Sequence, residues 1–88
     1  GRVDFQTAFG KTPAGVARLA RRHRVPVIAI GGGLGDDAAG VFAHGIDGLE
    51  AAIARPMSLE QALVGAPLYI AAAAERALRL VRIGRRLR

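Results

Sequence analysis

The spacing of apolar residues changes several times along the chain, and each change marks an element. Between Pro13 and about His23, Val16, Leu19 and Ala20 recur at i, i+3 and i+4 while Arg18, Arg21 and Arg22 fall on the other side. That spacing predicts an amphipathic helix, with Thr12 as a cap and Pro13 in its first turn. Val25-Pro26-Val27-Ile28-Ala29-Ile30 is apolar without alternation, the mark of a strand covered on both faces, with Pro26 tolerated near its start. The strand runs into Gly31-Gly32-Gly33-Leu34-Gly35. Asp36 can then cap a second helix through about His44, and Gly45 is a natural stop. A short strand is expected near Gly48–Ile53, where Ala51 and Ala52 are weak strand formers.

After the loop Arg55-Pro56-Met57, the run Ser58-Leu59-Glu60-Gln61 has a capping-box pattern. The last helix is expected over about 59–83, with Gly65 and Pro67 kinking it or splitting it in two. In its second part Ile70, Ala74, Ala77 and Val81 share one face, and Glu75, Arg79, Arg82 and Arg86 another, with Glu75 and Arg79 spaced as an i, i+4 ion pair. Residues 1–12 read as a polar connecting segment. The order helix, strand, helix, short strand, helix predicts an α/β fold built on part of a parallel sheet. Such sheets need helices on both faces and more strands than this, so the remaining strands are expected in sequence beyond these 88 residues.

Composition narrows the function classes. Half the residues are hydrophobic and 23% are charged, a globular balance. The absence of cysteine excludes disulfides and cysteine-based metal sites. The opening run lacks the apolar core of a secretory signal, and the apolar stretches fall short of the roughly 20 residues that span a bilayer. A cytoplasmic setting without membrane contact is the expectation. Thirteen Lys+Arg against seven Asp+Glu give a net charge of +6, which attracts anions. Four arginines lie between Arg18 and Arg24 and six between Arg76 and Arg88; both runs fall on predicted helices, where a solvated face is the default. A small basic module for anions or nucleic acid is the alternative reading, and a structural remnant a third. Few aromatics interleave with the arginines, so no specific nucleic-acid partner is expected.

Three local patterns could carry chemistry. Gly10-Lys11-Thr12 looks like the end of a phosphate-binding P-loop, but that motif needs a glycine five positions earlier, where Phe5 stands. Lys11, the one lysine, sits at a helix start and could meet an anion there or be solvated. The glycine run 31–35 lies between strand and helix, where open α/β sheets bind ligands. It fails the dinucleotide fingerprint because Asp36 occupies the last glycine position; a tight turn needing positive φ is the other reading. Arg2, Asp4, Gln6, Thr7 and Lys11 crowd into one polar segment. A carboxylate there could hold Mg²⁺ or accept a hydroxyl proton, and a cation could balance phosphoryl charge. His23 and His44 fall near helix ends and lack paired metal-ligand spacing.

The run from Gly1 to Ala17, with Arg2, Asp4, Gln6-Thr7 and Gly10-Lys11-Thr12-Pro13-Ala14-Gly15-Val16, resembles the type I glycerate kinases. The likeness continues through Pro26–Ile30, Gly32-Gly33-Leu34-Gly35, His44-Gly45-Ile46-Asp47 and Pro56-Met57-Ser58-Leu59-Glu60. It covers essentially the whole chain, as a C-terminal segment with an active-cleft loop at 1–12 and an α/β unit with terminal helix at 13–83. The resemblance implies a Rossmann-like two-domain kinase that moves a phosphoryl group from ATP to D-glycerate with Mg²⁺. It implies catalytic roles for Asp4 and Lys11, with Asp4 as base or metal ligand. Gly1, Arg2, Gln6 and Thr7 would contact the substrate, and Gly32, Gly33 and Gly35 the nucleotide. Phe5 is bulkier than that family's pattern, the 31–33 run is more glycine-rich, and the family's Asp-Ser-Phe-Lys-Gly-Ser segment and second domain are absent. The 88 residues alone are therefore expected to be catalytically incomplete.

Overall fold

The computed structural model describes residues 2–4 and 10–87, except for the side chains of Val3 and Lys11. Its elements are β1 (Arg2–Val3), α1 (Lys11–Arg22), β2 (Ile28–Gly31), β3 (Gly33–Leu34), a 3-10 helix (Ala38–His44), β4 (Gly48–Ala51) and α2 (Leu59–Arg86). Strands β2 and β4 pair in parallel with Ala29 opposite Leu49 and Gly31 opposite Ala51. A second parallel pair joins β1 to β3, with Arg2 opposite Gly33. The segment read as a plain connector therefore contributes a strand, and the glycine run read as a loop supplies that strand's partner.

Helix α1 begins two residues before Pro13, with Gly10 rather than Thr12 at the N-cap and no side-chain cap. Proline is still accommodated, because the first-turn N–H groups have no intrahelical acceptor. The helix end follows from backbone geometry. Arg24 has φ 55°, Val25 N–H donates to Ala20 O at 2.9 Å, and Arg24 N–H donates to Arg21 O at 3.2 Å. This is a Schellman stop with arginine where glycine is usual. Arg24→Gly should stabilise the protein by about 0.5–1 kcal/mol, since an L-residue is strained in the left-handed region and glycine's extra unfolded-state entropy offsets only part of that strain. A urea unfolding midpoint that falls instead of rising would contradict the assignment.

The buried position of α1 is Ala17, whereas Val16 and Leu19 stay about half exposed. Ala17 packs with Ala38, Val41 and Ile46, and Val27, Ala29 and Leu49 lie against that cluster. Small residues on α1 permit its close approach, which leaves the larger side chains beside the contact rather than in it. The 3-10 helix replaces the expected α-helix. Gly40 in its middle weakens α-helix propagation, and a three-residue turn stacks Ala38 directly over Val41, both buried. Asp37, not Asp36, occupies its N-cap, and no side-chain capping bond forms. Gly45 ends it at φ 93°, as the sequence predicts.

Strand β2 starts later than expected because the backbone of Val25–Val27 is used elsewhere. Val25 N–H closes α1, Pro26 has no N–H, and Val27 O accepts from Asp47 N–H at 2.8 Å and Gly48 N–H at 3.2 Å. Nor is the strand covered on both faces: Ile28 is 40% exposed. Helix α2 runs unbroken through Gly65 and Pro67 for 28 residues, which corrects the expected split. Its start is held as predicted. Ser58 Oγ accepts from Gln61 N–H at 3.1 Å, and Ser58 N–H donates to Gln61 Oε1 at 3.1 Å. Its core-facing side is Ala62, Ala73 and Ala77, while Ile70 is half exposed, so the predicted face is rotated by about one residue. Among the described residues, six of the eight buried apolar side chains are alanines, so little apolar area is removed from water.

Candidate functional site

A cleft of about 380 Å³ opens where β2 and β4 end. Its floor is Ile30, Gly31, Gly32 and Gly33 with Ala52 and Ile53, and its far wall is the first half of α2, including Leu63, Ala66, Tyr69 and Ile70. Arg2 stands at the same cleft because β1 pairs with β3 inside the glycine run, Arg2 opposite Gly33. The lining residues are mainly aliphatic, and Arg2 and Tyr69 are the ones among them that carry polar side-chain groups.

The floor is fixed by backbone pairing that continues past the strands. Gly31 O accepts from Ala52 N–H at 2.7 Å, and Gly32 O accepts from Ile53 N–H at 3.2 Å. The positive-φ glycine of the described residues is Gly45, so the run 31–35 is not the positive-φ turn considered above. Gly31 ends β2 and Gly33 opens β3. A Cβ at Gly33 would meet nothing within 4 Å, so glycine leaves open space there. Gly35 does not line the cleft; its carbonyl accepts from Ala38 N–H at 3.0 Å at the entry to the 3-10 helix.

Asp4 lies just past β1, with Oδ2 3.6 Å from Arg2 Nη2; its side chain is 27% exposed and that of Arg2 68%. Such an exposed pair contributes about 0–1 kcal/mol, so it is a weak structural tie. The structure thus brings Arg2, Gly32 and Gly33 to one cleft and sets Asp4 beside Arg2. Lys11 is the first residue of α1. Its side chain, together with Gly1, Gln6 and Thr7, lies outside the described residues. No group of three or more His, Cys, Asp or Glu gathers among the described residues. A Mg²⁺ ion that keeps waters and phosphate oxygens needs only one or two carboxylates, and Asp4 is compatible with that.

Sequence reasoning missed two residues near the cleft. Tyr69 lies over Gly65: a Cβ on Gly65 would come 2.5 Å from its ring. The i, i+4 spacing of glycine and tyrosine was the available signal. Arg76, counted with the solvated arginines, instead donates to Ala51 O at 3.0 Å and approaches Glu50 Oε1 at 3.5 Å. It ties α2 to the end of β4, and an acidic residue inside an apolar strand was the clue. Arg79 and Glu75 do form the predicted surface pair, at 3.1 Å. Asp47 accepts a hydrogen bond from Val27 N–H at 2.8 Å, which anchors the entry to β2. No helix of the described residues is long and apolar enough to cross a membrane.

The sequence profile of the Glycerate kinase family matches residues 1–82. The chain belongs to that family. It is 52% identical over 63 residues to a glycerate kinase of Halalkalibacterium halodurans, covering 72% of this chain and 17% of that protein. It is 44% identical over 70 residues to a glycerate kinase of Bacillus subtilis, covering 80% of this chain and 18% of the relative. A glycerate 2-kinase of Escherichia coli is 42% identical over 66 residues, 75% of this chain and 17% of its own length. The chain thus spans less than a fifth of these glycerate kinases. No solved structure gives a significant match.

Proposed function

We propose that this chain forms one wall of the catalytic cleft of a Rossmann-like, two-domain kinase that transfers a phosphoryl group from ATP to D-glycerate. The observation that carries the reading is the convergence of Arg2 and the glycine run on a cleft at the carboxyl ends of parallel strands, where α/β enzymes bind ligands. In the reaction the bond from the γ-phosphorus to the bridging oxygen of ADP breaks, and a bond from phosphorus to a glycerate hydroxyl oxygen forms. The hydroxyl proton leaves to a base. Asp4 is assigned as that base or as a ligand to Mg²⁺, which when bound would neutralise phosphate charge. Arg2 and Lys11 supply positive charge to the substrate carboxylate or phosphoryl oxygens. Gln6, Thr7 and the backbone at Gly1 orient the substrate. Gly32 and Gly33 admit the nucleotide without side-chain obstruction, and Gly35 sets the turn behind them.

Phosphoryl transfer depends on positioning two substrates and a metal together, and one wall cannot do so. These 88 residues alone should therefore give no glycerate-dependent ADP release in a coupled assay with D-glycerate, ATP and Mg²⁺. Turnover at about 1–100 per second, the ordinary kinase range, would show that they form a complete site.

A further inference from the structure

The chain exposes 6736 Å² of surface at a mass of 9.2 kDa. A folded monomer of that mass exposes about 4,900 Å², so the excess is on the order of 1,000–2,000 Å². One partner in a stable interface buries about 800 Å², and more in an obligate one. Much of the exposed apolar surface lies on α2. The face buried at Ala62, Ala73 and Ala77 continues by helical spacing to Leu80 and Leu87, yet these are 66% and 82% exposed. The cause is length: 28 residues of helix reach about 42 Å, whereas the four residues of β4 reach about 13 Å. The overhanging part of α2 borders a groove of about 360 Å³ that also includes Pro26, Ile28 and Val81.

A second copy is a poor fit for this face. Arg79, Arg82 and Arg86 run along α2 beside Ile83, and a two-fold contact would bring these stripes together between two chains of net charge +6. The relatives offer another occupant, since more than four fifths of their length lies outside the matched segment. We propose that the overhanging face of α2, centred on Leu80 and Leu87 with the groove beside it, is covered by the remaining part of a glycerate-kinase fold. This rests on the functional reading above, and it adds that α2 is an internal strut joining the cleft wall to the rest of the enzyme.

The chain has no cysteine, so single cysteines report on this face directly. Leu80→Cys, Leu87→Cys and, as a solvated control, Arg82→Cys are reacted with a maleimide in two settings. One is the 88-residue chain. The other is a cysteine-free Bacillus subtilis glycerate kinase whose matching segment is replaced by this chain. Labelling of Leu80→Cys and Leu87→Cys should slow by about tenfold or more in the chimera, as for sites reached only by opening, while Arg82→Cys keeps its rate. Sedimentation should show the 88-residue chain to be monomeric. Equal labelling in a cooperatively melting chimera overturns the proposal, as does a chimera that fails to fold or a homodimer that protects Leu80→Cys. Protection with turnover lost leaves the interface standing and removes the functional reading; turnover with Leu80→Cys freely labelled does the reverse.

Discussion

Asp4→Asn, made in an active glycerate kinase carrying this segment, should lower turnover by about 10²-fold or more, the scale of general-base catalysis. The substitution keeps the shape of the side chain and removes its charge. If Asp4 takes the hydroxyl proton or holds Mg²⁺, that charge is what the reaction uses. Little stability should be lost. The Arg2–Asp4 pair is 3.6 Å long, to a guanidinium 68% exposed, so weakening it costs at most about 1 kcal/mol. Asp47→Asn is the control. Asp47 acts through an acceptor oxygen at 2.8 Å from Val27 N, and the asparagine carbonyl can accept the same bond. Its turnover should stay near the parent value. Turnover and urea midpoints for both variants separate site from scaffold. Near-normal turnover in Asp4→Asn, or a loss that merely tracks unfolding, would take Asp4 out of the chemistry.

Gly45→Ala should destabilise the same protein by about 1–3 kcal/mol. Two effects act together. At φ 93° an L-residue is strained by roughly 1–2 kcal/mol. The new Cβ would also lie 3.2 Å from Ala17 Cβ and 3.6 Å from Ala17 O. Ala17 is in the small core with Ile46 and Val41, so α1 cannot shift without opening that cluster, and overpacking of this kind adds about 1 kcal/mol or more. Gly48→Ala makes a fair comparison, because its Cβ would meet Ile28 Cγ1 at an ordinary 3.5 Å. Equal urea midpoints for the two variants would mean that Gly45 is not the pivot between the 3-10 helix and β4.

The parts of the fold legible in the sequence are those set by local chemistry. The capping box at Ser58 and Gln61, the stop at Gly45 and the Glu75–Arg79 pair need only neighbours within one helical turn. What stayed hidden depends on partners far along the chain. Arg2-Val3 reads as connector because its strand character comes from pairing with Gly33-Leu34. Val25–Val27 reads as strand because its composition is right, yet its backbone groups serve α1 and Asp47 instead. Val16 and Leu19 fit a helix period, but contact is made through Ala17, where small size matters more than hydrophobicity. Pro67 predicts a break that α2 does not make, since a single lost hydrogen bond is tolerated within 28 residues. At the site, the polar run around Asp4 was visible as composition. The role of Tyr69 in the cleft depends on how α2 packs against the glycine run, which no local pattern states.

An exchange of segments shows whether this chain works as a wall of a glycerate kinase cleft. The chain is placed in the Bacillus subtilis glycerate kinase in place of the segment to which it is 44% identical, and ADP release is followed with D-glycerate, ATP and Mg²⁺. Turnover should stay within about tenfold of the unaltered enzyme, because the groups that position phosphoryl transfer are all supplied. A chimera that melts cooperatively, binds ATP and D-glycerate, and still turns over no faster than the Asp4→Asn variant would contradict this role.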